Sequence, residues 1–132
     1  MPGALLDTNA YAAFKRGLPE AVEIARNTDL LFLPVVALGE LLAGFAVGSQ
    51  EERNRHELNV FLASPRVKVL VADGQTASFY AQVYMGLRAK GRPIPSNDLW
   101  IAAIALQHEL TLFSYDAHFA EVDGLKVIPQ RS

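Results

Sequence analysis

Short apolar runs alternate with helix-length segments along the whole chain, and that rhythm admits few folds. Ala4 to Leu6, Leu30 to Leu33, Val67 to Val71, Leu110 to Phe113 and Lys126 to Ile128 are too brief for buried helices and read as strands. Parallel neighbours in a sheet need crossover connections, which helices supply, so this alternation predicts a mainly parallel central sheet covered on both faces. The expected fold class is α/β, a three-layer α/β/α sandwich. No linker, repeat or low-complexity segment interrupts the pattern, so residues 1–132 read as one domain.

The helix boundaries are readable locally. Asp7-Thr8-Asn9 is placed to cap a helix running toward Arg16, and Pro19 suits the first position of another that Asn27-Thr28-Asp29 breaks. Val35 to Val47 is apolar almost all round, the mark of an interior helix. Ser49 with Glu52 has capping-box spacing, Pro65 ends the helix that follows, and Asp73 is positioned to cap a helix reaching Lys90. After the loop Gly91 to Pro95, Ser96 is the expected cap of a helix to His108.

Composition excludes several classes of chemistry. The absence of cysteine removes thiolate zinc sites, iron–sulfur clusters and cysteine nucleophiles, and is consistent with a cytoplasmic protein. Hydrophobic residues make up 51% of the chain, enough for a core without disulfide support. The N-terminal Met1-Pro2-Gly3-Ala4 lacks the basic start of a secretory signal. Leu30 to Gln50 is long and apolar, but Pro34, its glycines and the central Glu40 argue against a membrane span. With a net charge of −2 there is no broad basic surface, so a nucleic-acid partner would depend on local clusters such as Arg88, Lys90 and Arg92, or on metal.

Isolated acids carry the functional signal. Asp7 is the only charged residue from Met1 to Phe14, Glu40 from Leu30 to Gln50, and Asp98 from Pro93 to His108. A carboxylate withdrawn from water costs several kcal/mol unless it is paired, protonated or bound to a cation. Asp7 and Asp116 both fall just past the C-terminal ends of strands, the rim where open parallel sheets bind ligands. Each has an ordinary alternative: Asp7 as a helix cap, Asp98 as a first-turn acid, Asp116 as an Asx-turn residue. Glu40, mid-helix among Leu38, Gly39, Leu41 and Leu42, is either a buried acid with a partner or a ligand. Together these acids suit a hard, oxygen-preferring cation, Mg²⁺ or Mn²⁺. Such an ion lowers the pKa of bound water and polarises a phosphoryl oxygen, so the implied chemistry is metal-assisted phosphodiester hydrolysis.

Four blocks then stand in a recognisable order: Leu5-Leu6-Asp7-Thr8-Asn9, Glu40-Leu41 with Gly44, Asn97-Asp98 with Ile101-Ala102-Ala103, and Ser114-Tyr115-Asp116-Ala117-His118-Phe119. The chain resembles a PIN-domain ribonuclease of the VapC type, the toxin of a type II toxin–antitoxin system. That resemblance implies that Asp7, Glu40, Asp98 and Asp116 form an acidic site holding one or two Mg²⁺ or Mn²⁺ ions and cutting RNA to 5′-phosphate and 3′-hydroxyl ends. Asn9 and Ser114 resemble the polar residues that orient the first and last of these acids. A homodimer and a small antitoxin packed on the early helices are further implied. The chain departs from the family pattern in carrying Ser114 where Thr is common and Tyr115 where a basic residue is common. Tyr115 is therefore a candidate for stacking on an RNA base, His118 for proton transfer, and Trp100 for core or interface.

Other readings fit less well. A receiver domain would want adjacent acids after the first strand, and a haloacid-dehalogenase-like phosphatase a second Asp where Asn9 stands. The alternative in a different class is a catalytically silent PIN-fold module acting through a protein or RNA partner. Retention of all four acids argues against it, because a purely structural fold gains nothing from mutual repulsion.

Overall fold

The computed structural model describes residues 1–130. Five strands form one sheet: β1 (Gly3–Leu6), β2 (Leu30–Pro34), β3 (Val67–Leu70), β4 (Thr111–Phe113) and β5 (Val127–Ile128). Their order is β3-β2-β1-β4-β5 and every pairing is parallel, with Leu5 beside both Phe32 and Leu112. Each crossover is helical: α1 (Thr8–Lys15) and α2 (Pro19–Arg26), then α3 (Val35–Val47) and α4 (Glu51–Leu62), then α5 (Gly74–Ala89) and α6 (Ser96–Gln107). This is the expected three-layer α/β/α architecture.

Alternation along the strands builds two cores. Ala4, Leu6, Leu31, Leu33 and Phe113 face one side and pack with Ala10, Tyr11, Ala21, Ala37, Leu58 and Phe61 from α1 to α4. Leu5 and Leu112 face the other and pack with Val83 and Leu87 of α5 and Leu99, Ile101 and Ile104 of α6. After β3 the chain passes over the sheet to add β4 on the far side of β1, so strand order reverses between β1 and β4. A reversal there opens a crevice at the C-terminal ends of those two strands.

Several local expectations are corrected. Ser96 does not cap α6; Pro95 holds that position and the side chains form no cap. Ser49 and Glu52 form no capping box, since Gln50 precedes α4. Proline's fixed φ sets the entry to α6 at Pro95, and α4 begins one residue later than a Ser49 cap requires. Asp73 does cap α5, in a reciprocal box with Thr76. β3 stops at Leu70, and Val69 and Val71 are 42% and 61% exposed because this is the edge strand. Most telling, α3 is not interior: only Ala37 and Leu41 are buried, while Val47 is 89% exposed. Its apolar surface exceeds what the sheet and its neighbours cover.

Candidate metal centre

The reversal between β1 and β4 gathers the acids. Asp7 ends β1 and caps α1, its Oδ1 accepting the Ala10 backbone N–H at 2.8 Å. Its Oδ2 accepts the hydroxyl of Ser114, which follows β4 and is itself buried. The same Ser114 oxygen accepts the Asp116 backbone N–H at 3.0 Å, so one hydroxyl ties the ends of two neighbouring strands together. Asp116 opens a 3-10 turn, Ala117–Glu121, with its carboxylate accepting the His118 N–H at 2.9 Å. The capping roles that seemed rivals to function are thus the means by which these carboxylates are held.

α6 and α3 bring the other two. Asp98 sits in the first turn of α6, and its Oδ2 lies 2.7 Å from His118 Nδ1. Glu40, on α3, accepts the Thr8 hydroxyl at 2.9 Å and the Asn97 amide at 3.5 Å, which ties α3 to the first residue of α1 and the start of α6. Thr8, Asn97 and His118 are contacts that spacing alone did not single out as partners of these acids; each flanks an acid in a motif block, which is the signal that was present.

Electrostatics shows the four acids to be neighbours. Asp7 is pushed up from 3.8 to about 6, first by burial, against the hydrogen bonds from Ser114 and Ala10, with Asp116 and Asp98 adding to the rise. Asp98 is also raised, first by burial, opposed by the hydrogen bond from His118 and reinforced by Asp116 and Glu40. His118 moves upward, first through its hydrogen bond to Asp98. Carboxylates that destabilise one another's ionised forms are relieved by a bound cation, and oxygen donors at several positions suit a hard divalent ion. The residues therefore fit the metal that the motif pattern implied, with Asp98, Asp116 and His118 offering donor atoms within 4.8 Å of one another.

The remaining candidates divide. Asn9 is exposed and, among the described residues, makes no hydrogen bond to an acid; helix α1 turns its side chain outward and leaves Asp7 to Ala10 and Ser114. Lys90 is engaged elsewhere, with Nζ 2.6 Å from Asp123 and 2.8 Å from the Glu121 carbonyl. Arg88 and Arg92 are exposed. The Tyr115 ring packs on Phe113 with centroids 5.6 Å apart, and its hydroxyl donates to Glu20 at 3.1 Å. Burial and then that bond raise its pKa to about 12, so it stays a neutral donor at the rim. Trp100 stacks on Tyr80, centroids 4.3 Å apart, between α6 and α5.

Comparison with known proteins agrees with this geometry. The PIN domain family model matches residues 4–125. Ribonuclease VapC1 of Haemophilus influenzae is 32% identical over 116 residues, 85% of each chain. Ribonuclease VapC5 of Mycobacterium tuberculosis is 29% identical over 91% of this chain and 87% of its own. Among solved structures, DNA-bound VapBC from Salmonella typhimurium superposes with a TM-score of 0.83 at 27% identity, covering 96% of this chain and 97% of that one. With a family model spanning nearly its whole length, the chain belongs to the PIN domain family.

Proposed function

We propose that this chain is a divalent-metal-dependent endoribonuclease acting as the toxin of a toxin–antitoxin pair. The observation that carries the reading is the convergence of Asp7, Glu40, Asp98 and Asp116, drawn from four different elements, on the crevice where strand order reverses. These four would hold one or two Mg²⁺ or Mn²⁺ ions, which when bound supply an activated water and a counter-charge for the phosphoryl oxygens. Ser114 orients Asp7 and Asp116 together, and Thr8 with Asn97 keeps Glu40 aimed inward. A cluster of carboxylates repels a bare phosphate, and a bound divalent ion supplies the counter-charge that lets the site accept one.

The ribonuclease names of the relatives support cleavage over a silent binding module. VapBC complexes among the structural matches support an antitoxin partner. Exposed Val35 and Val47 on α3 and Val69 and Val71 near the sheet edge leave apolar surface that a homodimer or an antitoxin contact would bury. Arg88, Arg92 and Tyr115 are the RNA contacts we favour; Lys90, already paired, is not among them. No helix among the described residues is long and apolar enough to cross a membrane, and we place the activity in the cytoplasm, where RNA is available.

Cleavage of RNA by the chain freed of antitoxin, in Mn²⁺ or Mg²⁺, tests the reading. Activity should require metal and fall at least about a hundredfold in Asp98→Asn, the scale of losing one preorganised charge at a reacting centre. Wild-type cleavage by that variant would refute the site.

A further inference from the structure

The imidazole of His118 lies inside the acid cluster rather than beside it. Its Nδ1 is 2.7 Å from Asp98 Oδ2 and 3.2 Å from Asp116 Oδ1. The backbone N–H of the same residue bonds to Asp116, so the 3-10 turn fixes the ring over both carboxylates. Core packing does not account for this orientation, because the side chain is 47% exposed.

We propose that His118 is a ligand of the cation bound at this rim, and that its nitrogen makes the centre prefer Mn²⁺ to Mg²⁺. The proposal rests on the metal-site reading above and adds a donor and a selectivity to it. Adjacent ligands of an octahedral ion at about 2.1 Å stand about 3 Å apart. The separation of His118 Nδ1 from Asp116 Oδ1, 3.2 Å, is close to that edge. Chemistry then decides which ion. Mg²⁺ holds to oxygen and surrenders water reluctantly, whereas first-row transition ions accept imidazole. Asp7, Glu40, Asp98 and Asp116 by themselves offer only oxygen and would discriminate weakly.

Titration of Mn²⁺ into the full chain, with free Mn²⁺ read by electron paramagnetic resonance and Mg²⁺ added as competitor, tests this without reference to activity. His118→Ala and the more conservative His118→Asn should each weaken Mn²⁺ binding at least about tenfold, while Mg²⁺ affinity changes far less. Pulsed measurements on bound Mn²⁺ should show a nitrogen coupling in wild type that both variants lose. If Asp98→Asn abolishes Mn²⁺ binding while the His118 variants keep wild-type affinity and wild type shows no nitrogen coupling, the proposal is overturned and the acid site stands. If Asp98→Asn binds Mn²⁺ as wild type does, the acid site itself is refuted and the proposal falls with it.

Discussion

Asp7 concentrates the conflict between stability and function in one side chain. A carboxyl that titrates near 6 in the fold and near 3.8 when unfolded costs about 3 kcal/mol when ionised at pH 7. Because the folded value is the higher one, wild type should lose stability as pH rises from about 4 through about 6. Asp7→Asn keeps an acceptor for Ala10 and a polar contact for Ser114. In chelator it should therefore melt higher than wild type at pH 7, match it below pH 4, and lack nuclease activity; thermal denaturation across pH checks the sign. Ser114→Ala should act the other way. It strips a buried bond from Asp7 and a partner from the Asp116 N–H, costing about 1–3 kcal/mol and raising the pKa of Asp7 further. Thermal melts together with a shift of the activity profile to higher pH would register both effects.

At the scale of elements, the helix ends explain which expectations held. Asp73 was legible because its cap is local: Thr76 returns the bond three residues on. Thr76 also donates to Gln107 of α6 at 2.5 Å, joining the two helices far from the acids. Thr76→Val should cost about 1–3 kcal/mol by leaving the Asp73 N–H without a partner, and leave cleavage per folded molecule unchanged; melting and a rate normalised to folded protein separate the two. Ser96 failed as a cap because Pro95 before it already sets the entry to α6, and Ser49 because α4 starts one residue later, after Gln50. α3 was misread as interior from its composition, since periodicity reports that a helix is apolar all round but not whether this chain or another covers it.

The whole molecule adds the linkage between folding and metal. An ion that binds only the folded chain stabilises it by about 2.7 kcal/mol at a hundredfold excess over Kd. Mn²⁺ should therefore raise the melting temperature of wild type and leave that of Asp98→Asn nearly unmoved, which a calorimetric scan with and without chelator would show.

Alternation of short strands with helices, isolated acids in apolar surroundings and the order of the four motif blocks were all present in the one-dimensional chain, because each depends on neighbours within a few residues. They sufficed for the layered fold and for nominating Asp7, Glu40, Asp98 and Asp116 as the candidate acids. Tertiary structure alone decided that Ser114 bridges Asp7 and Asp116, that Thr8 rather than Asn9 serves an acid, that Lys90 is spent on Asp123, and that His118 points into the cluster. Those contacts join residues up to 107 positions apart. Their geometry is created by the passage of the chain across the sheet between β3 and β4, which no local pattern encodes.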